Sequence, residues 1–486
     1  MNLKKKSEYL DLNPEKMIRV FFCTVLLLSG LSIKAQTGFS LQDCRNLAIE
    51  NNKRLKIADE EILAGLAQKE EAFTKYLPGV DATGVYMRNQ KKIHLLEQDA
   101  YLPVGAIQDG TWKPRPDQVQ IVNGQPVPKD YALLPKEAMT VDDRNTALLQ
   151  LGLTQAVYMG GKIRAYNHLA GLSLQLAYSK RELELQNVIE TADEAYWQVV
   201  SLINRKKLAE KYVEALKKFE HDIDLMYKTG LSTKADVLSV RVKLNEAEMQ
   251  QLRVEDGLSL SRMRLNQVCG LSTDTIFPLR DENIEGNGLP NIEQLPLEQV
   301  YAKRPEVIGL ELATQMYKKK EKIALSQYLP TVALTANYLT MAPSFFDGIS
   351  TKFDGMWSVG IGVKAPIFHW GASRKSLRNA RAQTGIMEYR LLEAKEQIEL
   401  QVRQSEFKIK EVAKKLEMAG NNLERADENL KLANLGFQEG TIPVSNVLEA
   451  QAAWLSAHAE LIDSRIEMKL CEVYLQKAYG ILGQEN

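Results

Sequence analysis

The sequence predicts an internally duplicated α+β chain in which a strand hairpin is joined, twice over, to a very long helical hairpin. Three observations predict it. First, Val157-Tyr158-Met159-Gly160-Gly161 recurs as Ile367-Phe368-His369-Trp370-Gly371. The stretch from Tyr227-Lys228-Thr229-Gly230 to Val237-Leu238 recurs as Phe437-Gln438-Glu439-Gly440 to Val447-Leu448, and Gly270 recurs as Gly480, all at one offset of 210 positions. Second, apolar and small residues fall at alternating steps of three and four for some sixty residues after Leu377. Third, runs of about ten residues alternate apolar with polar or glycine at duplicated positions. Internal repetition is read first because it decides how many units the chain contains.

At the amino terminus, Met17-Ile18-Arg19 opens an export signal. A basic residue precedes an apolar run from Val20 to Leu31, then Ser32-Ile33-Lys34-Ala35 before Gln36. The run is too short to span a bilayer, and Ala35 suits cleavage. Residues 1–35 are therefore read as a signal peptide, with Met17 a plausible start. Cys23 lies inside the apolar run, so no lipid attachment is expected. The four cysteines, Cys23, Cys44, Cys269 and Cys471, are far apart in sequence and contain no C-x-x-C pair. The odd number left after cleavage argues against a disulfide framework. Basic and acidic residues balance at 62 each, so nothing points to nucleic acid.

Repeat 1 is read over 36–270, an irregular connection rich in Gly, Pro, Asn and Asp over 271–296, and repeat 2 over 297–486. Each opens with a helix, Leu41 to Tyr76 and Leu297 to Leu329. Tyr76-Leu77-Pro78 and Tyr328-Leu329-Pro330 end these helices, at an offset of 252. The 42 additional residues of repeat 1 therefore lie between Pro78 and Gly161. They hold Pro103, Pro114, Pro116, Pro126, Pro128 and Pro135, which makes 89–145 a long loop, functional or disordered. The strands follow: Val80, Ala82, Gly84 and Tyr86 correspond to Val332, Leu334, Ala336 and Tyr338. Leu149, Leu151 and Leu153 alternate with polar or glycine neighbours, as do Trp357, Val359, Ile361 and Val363. Such length and period suit an outer-membrane barrel, with Trp112 and Trp357 candidates for its aromatic belts.

The long helices run from about Lys162 to Tyr227 and from Leu377 to Phe437. The second carries a coiled-coil seam through Ala380, Ala394, Ile409, Leu416, Leu423, Leu430 and Phe437. Glycine turns stop them, and shorter helices return over roughly 233–268 and 444–479. A short ascending helix cannot cover a long descending one, so two short helices stacked end to end are expected beside it. Four strands cannot close a membrane barrel, and open edges in lipid are costly, so several copies must share one. Two copies give eight strands; three give twelve and leave room for a lumen.

The local matches resemble the TolC-like outer membrane efflux proteins. They are Leu41-Gln42-Asp43 to Asn51-Asn52, Tyr76-Leu77-Pro78, Met159-Gly160-Gly161, Gly230-Leu231 with Asp236-Val237-Leu238, and Gly440-Thr441 with Asn446-Val447-Leu448. The resemblance spans nearly all of the exported chain, and the order and duplication of the motifs are what make it specific. It implies a homotrimer with a twelve-stranded barrel in outer membrane lipid on a twelve-helix periplasmic tunnel. It also implies a passive exit duct for a tripartite pump or type I secretion system, docking to a periplasmic adaptor and an inner-membrane transporter. No cofactor or metal is implied. Gly230, Leu231, Gly440 and Thr441 match adaptor-facing turns, and Asp236 matches an acid that helps hold a closed tip. Phe437 stands where a gating Tyr is usual, Ile442 where an Arg is usual, and Asn446 and Glu449 where two acids ring the entrance. These departures remove the usual Arg–Asp tie, and apolar packing of Phe437 and Ile442 is the expected substitute. The plainer reading makes the glycines helix stops and Asp236 a first-turn acid.

Against an enzyme stands the lack of any nucleophile–base pair or cofactor loop. Histidines 94, 168, 221, 369 and 458 have no metal spacing, and Gly160-Gly161-Lys162 lacks the rest of a phosphate loop. A periplasmic coiled-coil scaffold or adhesin is the rival reading. It would use the rods but not the duplicated strands.

Overall fold

The computed structural model describes residues 38–108, 111–113, 115–282, 294–348 and 350–484. The expected signal peptide lies outside the described residues, as does the side chain of Trp112. The chain forms two compact units, each assembled from both repeats. One comprises Met1–Ala58, Arg181–Pro305 and Lys395–Asn486; the other comprises Asp59–Lys180 and Glu306–Ala394.

The elements in chain order are α1 (Leu41–Asn51), α2 (Lys53–Thr74), β1 (Gly79–Arg88), β2 (Asn145–Met159), α3 (Lys162–Lys228), α4 (Lys234–Cys269), α5 (Leu297–Lys303), α6 (Pro305–Leu325), β3 (Thr331–Ala342), β4 (Asp354–Lys364), α7 (Ala372–Gln438) and α8 (Val444–Ala478). The long helices α3 and α7 have 67 residues each, about 100 Å at 1.5 Å per residue. No helix among the described residues is long and apolar enough to cross a membrane.

The four main strands form one antiparallel sheet in the order β1-β2-β3-β4. Val80 lies opposite Leu153, Leu151 opposite Tyr338, and Tyr338 opposite Trp357. These residues share a face with Tyr86, Leu149, Val359 and Ile361, so one side of the sheet is apolar and largely exposed. The opposite face carries Gln150, Asn337 and Ser358, with Gln150 Nε2 donating to Asn337 Oδ1 at 3.4 Å. Within the chain, β1 and β4 each have one hydrogen-bonded neighbour.

The insertion between β1 and β2 is more ordered than a loop rich in proline suggests. Ile93–His94 pairs with Thr140–Val141, and Ala100–Pro103 with Tyr131–Leu134. Two tight hairpins join Ala106–Gln108 to Thr111–Lys113 and Val119–Val122 to Gln125–Pro128. Asn123 and Gly124 turn the last one with φ of 53° and 78°, the left-handed pair that a two-residue hairpin loop requires. That Asn-Gly was the available signal. The prolines obscured it, since Pro126 and Pro128 sit in a short two-stranded ladder with an open edge, where a missing N–H is tolerated.

The opening helices differ from the single rods expected over Leu41–Tyr76 and Leu297–Leu329. Each breaks once, at Asn52 (ψ 127°) and at Arg304 (ψ 116°). Pro305 explains the second break, because the residue before proline is driven out of the helical region. The two breaks are again 252 positions apart. Each receives a glycine from the end of a returning helix. Gly270 (φ 72°) presses on Asn51, where a Cβ would stand 2.2 Å from the Asn51 Cβ, and Gly480 (φ 72°) presses on the Lys303 carbonyl. The close approach and the positive φ both demand glycine, which is why that residue recurs.

In the first unit Tyr196, Val200, Leu258, Leu265 and Cys269 form a core with Cys44. The connection after α4 is irregular over its described part, yet Leu279 is buried in this core and Phe277 packs beside it. Tyr196 Oη donates to Asp281 Oδ2 at 2.7 Å, which anchors the connection. Arg45 grips the fully buried Asp193 with two bonds, 2.7 Å from Nε and 2.5 Å from Nη2.

Candidate functional site at the helical turns

The nine candidate residues fall at two turns that face a common apolar cluster. At the first turn, α3 ends at Lys228 and Gly230 adopts φ 80°. Its N–H donates to Tyr227 O at 3.0 Å, and that of Leu231 to Met226 O at 2.8 Å. At the second turn, Gly440 adopts φ 70°, its N–H donates to Phe437 O at 3.0 Å, and that of Thr441 to Gly436 O at 2.8 Å. These are matching left-handed helix stops that satisfy the last carbonyls. Leu231 projects from the first turn as an exposed apolar side chain.

The helices after the turns begin differently. Thr233 caps α4: its Oγ1 accepts from Asp236 N at 3.2 Å, while Asp236 Oδ2 accepts from Thr233 N at 3.0 Å and Thr233 Oγ1 at 2.6 Å. Ser232 Oγ adds a fourth bond at 3.2 Å. This is a capping box. The Thr233 hydroxyl, with the Thr233 N–H and Ser232, holds the Asp236 carboxyl below its ordinary range. The second hairpin has Pro443 at the corresponding place, with no side-chain cap. Asn446 and Glu449 are exposed on the first turns of α8.

Between the turns, Phe219, Ile223, Val237, Val240, Val444 and Val447 form one buried cluster, with Phe437 and Ile442 packed against it. The rings of Phe219 and Phe437 meet edge to face, centroids 5.4 Å apart. Phe437 and Ile442, two of the expected gate residues, thus pack on α3 and α4 as well as on their own hairpin.

A model of the outer membrane efflux protein family matches residues 297–481, nearly all of the second repeat. Over 362 residues the chain is 21% identical to the outer membrane protein TolC of Escherichia coli, spanning 70% of this chain and 71% of that protein. Among solved structures, the outer membrane protein VceC of Vibrio cholerae superposes with a TM-score of 0.69 at 15% identity, over 90% of this chain and 96% of that one. The CmeC outer membrane channel of Campylobacter jejuni gives 0.69 at 16% identity, over 100% and 96%. The second repeat carries the match to the outer membrane efflux protein family, and the chain shares its fold with these solved outer membrane proteins. The relatives it matches are named as outer membrane proteins and channels.

Three features of these turns escaped the sequence reading. Arg241 on α4 bonds Glu220 at 2.6 Å and Asp224 at 3.3 Å on α3. Reading along each helix could not pair residues across a hairpin. On the second hairpin, Trp454 Nε1 donates to Asp427 Oδ1 at 2.5 Å. His458 lies half-buried with its ring 4.4 Å from that of Trp454. Burial pulls its imidazole below the ordinary value.

Proposed function

We propose that three copies of this chain form an exit duct: a twelve-stranded barrel continuing into a helical tunnel whose turns dock to a periplasmic adaptor and an inner-membrane transporter. The observation that carries the reading is the unequal coverage of duplicated helices. Helix α6 packs on α3, with Gly309 against Leu176 and Ser179, and reaches α7 through the Lys318–Glu388 ion pair at 3.0 Å. Its counterpart α2 packs on α3, where Gly65 meets Leu174 and Asn167 bonds the Ala72 carbonyl, and its other side is bare. The positions equivalent to Gly309, Leu176 and Ser179 are Ile57, Ile386 and Tyr389, which are 59%, 45% and 76% exposed. A neighbouring copy's α7 laid on α2 repeats the internal contact and covers all three. Such a head-to-tail contact closes into a ring.

The same logic applies to the sheet. The β2–β3 ladder joins the repeats within the chain, and its counterpart joins β4 of one copy to β1 of the next. Because Leu151 lies opposite Tyr338, the repeat sets Ile361 opposite the neighbour's Tyr86, on the apolar face where lipid would cover them. Farther along, Leu400, Phe407 and Met418 on α7 and Val242, Met249 and Leu260 on α4 are exposed at heptad-like spacing, stripes that suit the same ring of helices. On this reading the turns at Gly230, Leu231, Gly440 and Thr441 meet the adaptor. Phe437 and Ile442 close the resting entrance by packing, Asp236, Asn446 and Glu449 edge it, and residues 89–145 lie outside the cell. A scaffold would have no use for an open sheet with an apolar face.

Paired cysteines test the assembly: Ile361→Cys with Tyr86→Cys in one chain should give covalent trimers in isolated outer membranes. Either substitution alone should stay monomeric in denaturing gels. Paired variants that remain monomeric while the protein sits in the membrane would overturn the register. A protein recovered only as a soluble periplasmic species would overturn the duct.

A further inference from the structure

We propose that Cys44 and Cys269 are joined by a disulfide bond in the exported protein. The two are 225 positions apart in sequence, yet the fold brings them together, with Cys269 Sγ 3.7 Å from the Cys44 carbonyl oxygen. Both side chains are fully buried in one core beside Tyr196 and Leu265. The surrounding backbone is fixed as well. Asn51 Nδ2 donates to the Cys269 carbonyl at 3.0 Å, and Gly270 packs directly on Asn51. Helix α1 is therefore held to the end of α4 at Cys44 and at Asn51, and the two cysteines meet at a joint with little freedom. In the folded dithiol form, the hydrogen bond between them, together with burial, pushes the Cys44 thiol up. Both sulfurs are enclosed in the core, so oxidation belongs to the stage before it closes.

The compartment supplies the chemistry. A chain carried to the outer membrane passes through the periplasm, where disulfides form and persist. Each thiol gives up its proton and the two sulfurs together give up two electrons as the S–S bond forms. The electrons reduce the disulfide of a periplasmic thiol oxidase to its dithiol. The bond would close a loop containing nearly all of the first repeat, tying its first helix to its last, and so restrict the unfolded chain. The second repeat has no such staple, because Tyr479 stands at the place of Cys269 and Pro296 at the place of Cys44. Cys471 is a built-in control: buried on α8 against Val412 and Met468, with no second cysteine in its cluster.

The full-length protein, trapped by acid in intact cells and alkylated under denaturing conditions before any reductant, decides the matter by peptide mass. Label on Cys471 alone, with a linked Cys44–Cys269 peptide pair lighter by two hydrogens than its reduced sum, is expected. In Cys44→Ser, Cys269 should become labelled as well, and in Cys471→Ser no site should be labelled until reductant is added. Reductant should lower the thermal midpoint of the unaltered protein and leave that of Cys44→Ser unmoved. Labelling of both Cys44 and Cys269 in the unaltered protein without reduction would overturn the proposal.

Discussion

The two helical turns have the same backbone and opposite chemistry. At the first, the chain secures itself with polar groups: the Thr233–Asp236 capping box, the Ser232 hydroxyl, and Arg241 across the hairpin to Glu220 and Asp224. At the second, a proline stands where the cap would be, and the residues nearest the turn, Phe437, Ile442 and Val444, are apolar and pack on the first hairpin. A polar cap stabilises a helix end locally, wherever that end happens to be. Apolar packing stabilises only while the partner surface is in place. The first turn is therefore built to stay formed alone, and the second to be held by the first. The gate proposed above would need that asymmetry, because one hairpin must be able to leave while the other keeps its shape.

The largest effect should come from the residue that serves both hairpins. Ile223 is fully buried between Phe219, Val240 and Val447. Ile223→Ala removes buried methylenes that the surroundings cannot refill, at a cost of about 3 kcal/mol. Hydrogen exchange should speed up over both turns together. If only 219–240 responds, the two hairpins are not held by one cluster. Phe437→Ala follows at about 2 kcal/mol, less than a fully buried phenylalanine because its ring is half-exposed. It should loosen 437–450 and leave 219–240 protected. In planar bilayers it should also raise resting conductance, and an unchanged conductance would remove Phe437 from the constriction.

These pairings were only partly legible in the sequence. The seam from Ala380 to Phe437 was readable because buried positions of a long helix repeat at fixed steps, and Val402, Val412, Leu416, Ala419, Ala426 and Ala433 on it are buried. The strands were readable from their period and their duplication. The break at Arg304 was marked by Pro305 and the hairpin at Asn123-Gly124 by its dipeptide; both signals were present and outvoted by their surroundings. The contact of Cys44 with Cys269 and the bonds of Arg241 had no local signal, since each depends on which helices become neighbours. The same limit applies to the turns. Gly230 and Gly440 announce themselves as helix stops, but the Phe219–Phe437 contact that joins the hairpins is a property of the fold.

The cap offers a smaller and more local test. Thr233→Ala removes the hydroxyl that accepts from Asp236 N and donates to its carboxylate, at about 1 kcal/mol. Exchange should quicken in the first turn of α4 and nowhere on α8. Spread of the effect to 444–450 would mean that the second turn depends on this cap as well as on the apolar cluster.

The smallest effects should separate the two acids. Asp236 is committed to Thr233 and Ser232, whose hydrogen bonds hold its folded carboxyl below its ordinary range. A carboxylate with a lowered folded pKa contributes stability that is fully present above its unfolded value and lost as pH falls through the folded one. The start of α4 should therefore hold from neutrality down to about pH 4 and fray only below that. Fraying that begins well above pH 4 would contradict the capping role. Glu449 is exposed on α8, and in a trimer three copies would raise the local cation concentration at the entrance. Glu449→Gln should weaken cation preference in bilayer recordings, while Asp236→Asn should change it less because that carboxylate already faces its own helix end. Equal losses from the two variants would place both acids at the opening and make the cap incidental. No loss from Glu449→Gln would put the opening elsewhere and leave the asymmetry of the turns a matter of stability alone.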